Sequence, residues 1–310
     1  MLSDKESTQD LIDIAYILGL LRKNIYLILS ITGVCIAGSI FYSLTATHLY
    51  SSSAIVQINQ NNGSINSTGN EATLGLAAFA GINLNAGPTQ ESLVNETIRS
   101  RDFFNYLISN SPTILPNLIA FDHYDSLNQA TVFNKELYDP SSEQFLNFYT
   151  NQELFYDGIR AYHGVFSVSE NKNGYLLFTS THESPYFAKF LIDESIKYLN
   201  KMIREKHLNE TTQALSFLQI QLSKTPIIDI KNSINRLIES QLERQMLAYS
   251  NDDYIITPLD KAYVPLERSF PQRTRIVIEW SLLGFVLAFL IIFLKDLIYP
   301  FFLKEKSSNK

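Results

Sequence analysis

Two apolar runs stand near the ends of this chain, and they constrain it more than anything between them. Ile25 to Leu44 holds no charged residue, and Ile276 to Leu294 holds one, Glu279, close to its start. At a rise of about 1.5 Å per residue, about 20 apolar residues in a helix cross the roughly 30 Å hydrocarbon core of a bilayer. The expected division is a tail 1–24, a transmembrane helix 25–45, a translocated domain 46–275, a second transmembrane helix 276–295 and a tail 296–310. The middle block, about 230 residues, is large enough for a core of its own.

The first run is longer than the roughly 7–15 residues of a signal-peptide core, and acids precede it, so an uncleaved helix fits better. Arg22 and Lys23 sit just before it, and Lys295, Lys304 and Lys306 just after the second run. Basic flanks favour the cytoplasm, which puts both termini inside and the middle block outside. Arg268, Arg273 and Arg275 oppose this, but long translocated domains largely escape the rule. Gly33 with Ala37, and Gly284 with Ala288, are small residues four apart, a spacing that lets helices approach in lipid. These four are candidate transmembrane helix contacts. Glu279 lies four residues after Arg275 and reads as a pair near the headgroups.

The middle block carries the whole net charge of −6. A mildly acidic block offers no electrostatic footprint for nucleic acid. The only cysteine, Cys35, lies inside the first apolar run. The block therefore has neither disulfide nor thiolate chemistry, as a bacterial periplasmic domain can do without. His48, His123, His163, His182 and His207 show no metal-binding spacing. No phosphate-binding loop or nucleophile elbow appears. Asp122, His123 and Asp125 read as a charged loop, and Asp252 and Asp253 as a solvated turn. No catalytic, cofactor or metal residues are expected, and no enzyme.

Along the chain, Tyr50 to Asn59 reads as a strand, followed by a low-charge stretch 61–87 containing Leu74 to Leu84. Thr89 to Ser109 reads as one helix, ended by Ser111-Pro112. Short helices are expected near Pro116–Phe121, Ser142–Phe148 and Glu153–Ala161. A hairpin follows, Gly164 to Ser169 and Tyr175 to Thr181 around Asn173-Gly174. Ser184-Pro185 then opens the longest helical signal, with Ser as N-cap and Pro at the first position. If Pro185 to Lys224 is one helix it is about 60 Å long. Its apolar stripe then needs partner helices. Pro226 interrupts it, and a second helix runs from Ile227 to about Tyr249. Leu215, Leu218, Leu222, Leu237 and Met246 are the candidate contacts of this arm or of an oligomer. Tyr254 to Thr257 reads as a last strand before a proline-spaced lead-in, Pro258, Ala262, Pro265, Pro271 and Arg273.

These residues resemble the polysaccharide co-polymerases, the chain-length determinant proteins of Gram-negative O-antigen and related surface polysaccharides. The opening carries it in Asp10-Leu11-Ile12-Asp13-Ile14 and Tyr50-Ser51-Ser52-Ser53-Ala54, and the middle in Leu76-Ala77-Ala78-Phe79-Ala80-Gly81. The strongest part is C-terminal: Leu237-Ile238-Glu239-Ser240-Gln241, Met246-Leu247-Ala248, Tyr254, then Ala262, Pro265, Pro271 and Arg273. The resemblance implies an α+β fold: a membrane-proximal α/β base (46–184 and 250–275), a long protruding helical arm (185–249) and two flanking transmembrane helices. It implies a homo-oligomer of the bacterial inner membrane, acting on a membrane polysaccharide polymerase and its lipid-linked polysaccharide to set chain length. No kinase motif is present, so the chain looks like the short, kinase-free class, and Thr225-Pro226 breaks its arm early. The alternative that shares this topology is a two-helix channel or sensor.

Overall fold

The computed structural model of the protein describes residues 19, 21–59, 89–146 and 150–308. The stretches 1–18 and 60–88, with the expected amphipathic opening and the Leu74–Leu84 loop, lie outside the described residues. Two compact units divide at Leu49 and Arg268.

The first unit is a pair of helices, α1 (Ile25–Thr45) and the last helix of the chain, Arg273–Ser308. The latter runs past the expected boundary at 295, continuing through Pro300. Both helices are long and apolar enough to cross a membrane, over Ile25–Thr45 and Arg273–Lys295. Tyr26, Leu29, Val34 and Phe41 stand exposed on α1, as do Leu282 and Val286 on its partner. A helix apolar all round is suited to lipid rather than to a water-facing surface.

The second unit is built on an antiparallel sheet of four strands. They are β1 (Tyr50–Ile58), β6 (Phe166–Glu170), β7 (Leu176–His182) and β8 (Ile256–Asp260), in the order β6-β7-β1-β8. Strand alternation decides its faces. Ser52, Ala54, Val56 and Ile58 of β1 are buried, as are Leu176, Phe178, Ser180 and His182 of β7. Tyr50 pairs with His182 and Val56 with Leu176. Pro258 sits in β8, an edge strand, where its missing N–H costs no ladder bond on the open side. The β6–β7 turn places Gly174 at φ 78°, a conformation that glycine adopts without Cβ strain.

Before the hairpin come α2 (Gln90–Arg99), α3 (Arg101–Asn110), α4 (Ile114–Ile119), the hairpin β2 (Phe121–Asp125) with β3 (Ala130–Phe133), the short hairpin β4 (Tyr138–Asp139) with β5 (Gln144–Phe145), and α5 (Asn151–Val165). The single helix expected over 89–109 is two. Ser100 breaks it: its φ/ψ of −73°/153° is extended, and its hydroxyl accepts from the Phe103 N–H as the N-cap of α3. The helix expected over Ser142–Phe148 is instead β5, paired with β4, with 147–149 outside the described residues. Asp139 dictates the turn, accepting from the Ser141 N–H and the Ser142 hydroxyl. The last strand begins at Ile256, two residues later than expected.

The long helix is a single element, α6 (Pro185–Lys224), 40 residues, capped by the Ser184 hydroxyl on the Phe187 N–H. It is followed by α7 (Ile228–Ser250), and the helix at the C-terminal end is α8. The core lies between the sheet, α2–α5 and the first half of α6. Phe103, Phe104, Leu107, Ile114, Phe178, Leu191, Ile192 and Leu199 are shut off from solvent there. Tyr162 stacks on Phe166 at 5.2 Å between ring centroids.

Candidate interaction site

Along the inner half of α6, one face grips the chain as it returns from the arm. Asn200, Arg204 and His207 are spaced by four and three residues, so they share that face. The Asn200 side chain is buried; its Oδ1 accepts from the Ile255 and Ile256 N–H groups at 2.8 and 3.0 Å, and its Nδ2 donates to the Ile256 carbonyl at 2.9 Å. Ile255, just before β8, and Ile256, its first residue, thus both give their amides to a helix side chain. Arg204 donates to the Asn251 carbonyl and pairs with Asp252 at 2.8 Å. His207 Nδ1 lies 3.0 Å from the Tyr254 hydroxyl. Burial lowers the His207 pKa, with Arg244 and Lys206 adding to it and Glu210 opposing; burial also raises that of Tyr254.

Beyond that grip, α6 and α7 form the arm. Its own core is small: Leu218, Ile234 and Leu237 are buried, with Phe217, Leu222, Ile230 and Ile238 partly so. Leu215 is buried as well. Leu215, Leu218, Leu222 and Leu237 thus line the seam between the two helices. Met246 does not; it is 70% exposed, on a face with Leu242 and Tyr249. Ile220, Ile227 and Ile228 are also exposed near the far end.

The proline lead-in lies alongside β1. Pro258 pairs with Val56, Ala262 and Pro265 are buried, and the Tyr263 carbonyl accepts from the buried Ser52 hydroxyl at 2.7 Å. Pro271 and Arg273 belong to the other unit, where Pro271 is buried. In the helix pair, Gly284 and Ala288 face α1. A Cβ at Gly284 would meet Cys35 Cβ at 2.9 Å and the Thr32 backbone at 3.3 Å. Ala288 packs with Ile28 and Ile292. Gly33 and Ala37 are exposed, and nothing lies within 4 Å of where a Gly33 Cβ would be. The two small-residue pairs therefore do not meet each other within one chain. Glu279 pairs with Arg275 at 2.7 Å.

The other sequence candidates resolve into turns. Asp122 and His123 pair at 2.9 Å on an exposed strand. Asp125 accepts from the Asn128 side chain and from the Leu127 and Asn128 N–H groups, which holds its pKa below the usual value. Among the described residues no group of three or more His, Cys, Asp or Glu is placed to hold a metal. The Asn200 grip was missed by sequence reading, since a buried asparagine in a long helix carries no local sign of its partner 55 residues away.

The architecture defines a class: a protein with an α+β domain and a long helical hairpin, carried between two helices fit to cross a membrane. Residues 10–111 match the family model described as Wzz, chain length determinant protein. The resemblance drawn from the residues is thereby shown over the stretch that holds α1, β1, α2 and α3, and the chain carries the chain length determinant signature there. No curated protein matches the sequence. Among solved structures, one described as a full-length bacterial polysaccharide co-polymerase is 14% identical, covering 94% of this chain and 99% of its own, with a TM-score of 0.38. A fragment of WzzB, a polysaccharide co-polymerase from Salmonella Typhimurium, is 10% identical, covering 72% and 100%, with a TM-score of 0.26.

Proposed function

We propose that this chain is a homo-oligomeric inner-membrane regulator of surface polysaccharide chain length, acting on the membrane polymerase that extends a lipid-linked polysaccharide such as O-antigen. The observation that carries the reading is the match of residues 10–111 to the chain length determinant model. The two candidate membrane helices flanking the α+β domain support it. Both termini are cytoplasmic and the central domain is periplasmic, as the basic flanks favour. The exposed face with Leu242, Met246 and Tyr249 then meets neighbouring copies, and the chain regulates rather than catalyses.

The test is a silver-stained gel of surface lipopolysaccharide from cells with and without the gene. Deletion is expected to turn a ladder clustered at one length into one that decays steadily, and the gene in trans to restore the cluster. A ladder unchanged for lipopolysaccharide, capsule and common antigen alike would sink the reading.

A further inference from the structure

The chain leaves the second unit at the corner of the sheet where it entered. β1 opens at Tyr50, five residues after α1 ends at Thr45. Beyond Asp260, the last residue of β8, the lead-in passes that same end of β1, where the buried Ser52 hydroxyl donates to the Tyr263 carbonyl at 2.7 Å. Ala262 and Pro265 are buried and fix the segment to the domain. The residues that follow each of them turn outward: Tyr263 is 53% exposed and Leu266 95%.

A single exposed leucine is ordinary on a protein surface. Leu266 differs in its place. The segment that holds it is pinned by buried neighbours, so the side chain is presented outward from a fixed backbone. Chain length then limits what it can reach. Leu266 stands seven residues before Arg273, where the candidate membrane helix α8 begins, and seven residues span at most about 25 Å. Ser52, which holds Tyr263, stands seven residues after Thr45, the end of the other candidate membrane helix, under the same limit. This corner of the domain is thus tethered twice to the helices. Tyrosines gather at the same end of the sheet. The Tyr124 and Tyr186 rings lie 6.2 Å apart, and burial raises the Tyr124 pKa, with Tyr186, Tyr50 and Asp125 adding to it. Tyrosine, with an apolar ring and a polar tip, suits the level of lipid headgroups.

Charge does not select the occupant. Asp260 and Glu267 offset Lys261 and Arg268 around the exposed pair, so the segment is not the polybasic patch that seeks anionic lipid. A second copy of the chain would need a hollow shaped to one projecting leucine, whereas lipid accepts such a side chain without any matching shape. We propose that Leu266 and Tyr263 dock this corner of the domain onto a phospholipid bilayer, Leu266 reaching the boundary between headgroups and acyl chains and Tyr263 lying among the headgroups, whatever the charge of the lipid. The proposal rests on the reading of the two apolar helices as membrane spans.

The experiment is spin-label accessibility on the full chain in phosphatidylcholine nanodiscs. Leu266→Cys, Ile228→Cys and Val286→Cys are each made in a Cys35→Ser background, which removes the only native cysteine. All three positions are exposed, so the label displaces no packed side chain. Collisions with oxygen, which enters lipid, and with a nickel chelate, which stays in water, read the depth. The Leu266 label is expected about 5–10 Å into the interface, rich in oxygen collisions and poor in nickel. The Ile228 label, at the far end of the arm, should read as water, and the Val286 label as bilayer interior. Exchanging part of the lipid for phosphatidylglycerol should leave the depth at Leu266 unchanged. A nickel-rich Leu266 label would mean water, and one poor in both reagents a contact with another copy. Insertion only with phosphatidylglycerol would mean attraction by charge, and an Ile228 label as deep as that at Leu266 would mean that the label itself seeks lipid. Each of these four results overturns the proposal. If Val286 reads lipid while Leu266 reads water, the docking falls and the membrane reading stands; if Val286 reads water too, both fall.

Discussion

The two halves of α6 are one helix in two environments. From Phe187 to Ile203 it lies against the sheet and the helices before it, burying Phe187, Leu191, Ile192, Ile196, Leu199 and Ile203. From Thr211 outward its main partner is α7, and the buried set shrinks to Thr211, Ala214, Leu215 and Leu218. Backbone hydrogen bonding is the same in both halves, so what differs is side-chain burial. Most helix stability in proteins comes from such packing rather than from propensity. The inner half is therefore expected to open only with the whole unit, and the outer half with α7 alone.

Leu199 and Leu218 allow a controlled test, because both are fully buried leucines of the same helix. Leu199→Ala should cost about 4 kcal/mol and lower the unfolding transition of the whole unit, near the upper part of the usual range. Leu218→Ala should cost about 2–3 kcal/mol, in a core small enough to relax. Hydrogen exchange by mass spectrometry should then show faster exchange across the sheet for the first and only across 209–250 for the second. Faster sheet exchange in Leu218→Ala would mean that arm and base are one cooperative unit.

That contrast was partly legible in the sequence. Ser184-Pro185 and Thr225-Pro226 are local signals, so both ends of α6 could be placed, as could the apolar runs and the Asn173-Gly174 hairpin. What could not be read depended on partners distant in sequence or on local contests. Ser100 suits a helix surface as well as an N-cap, and only its packing chose the cap. The aromatic hairpin β4–β5 has no alternation long enough to be seen. A pocket of about 340 Å³, lined by Pro112, Pro116, Tyr138 and Phe145, forms only because α3, α4 and that hairpin meet. At Gly158, α5 approaches its neighbours so closely that a Cβ would lie 2.6 Å from Leu115 Cδ1, a contact that no pattern announces.

A titratable group also ends β7, just before the inner end of α6. His182 Nδ1 accepts from the Ser184 N–H at 3.0 Å, so Nε2 carries the proton and donates to the Asn117 carbonyl at 3.2 Å. Burial pushes its pKa down to about 4 from 6.5. The folded state thus resists a proton that the unfolded chain takes up. This group leaves stability intact above pH 6.5; stability is lost as pH falls from there to about 4, reaching about 3 kcal/mol. His182→Gln should lose that slope. Thermal melts of both proteins from pH 7.5 to pH 4 would check it, and parallel curves would show that other groups dominate.

A smaller effect is expected where α6 holds the returning strand. Asn200→Leu keeps the volume close but leaves the Ile255 and Ile256 N–H groups without their acceptor, at about 2 kcal/mol. The loss should appear as faster exchange at 254–258, since those amides sit at the boundary between base and arm. Exchange unchanged there, with the same melting temperature, would show that β8 is held by its pairing with β1 alone.

The least perturbing test separates the two small-residue pairs of the two candidate membrane helices. Gly284 faces Cys35, the only cysteine, whereas Gly33 and Ala37 face away from α8. Gly284→Cys places a second thiol beside the first; the 2.9 Å that separates the two Cβ positions needs only a small outward shift to reach the roughly 3.5–4.5 Å of a disulfide. Mild oxidation in nanodiscs should then link α1 to α8 within one chain, seen as a monomeric band whose peptides stay joined after cleavage between the helices. Ala37→Cys in a Cys35→Ser background has no thiol to meet in its own chain, so any link it forms must join two copies and run as a dimer. An internal link from Gly284→Cys together with a dimer from Ala37→Cys would assign one face of α1 to its own chain and the other to a neighbour. A dimer from Gly284→Cys would instead place α8 against the α1 of another copy.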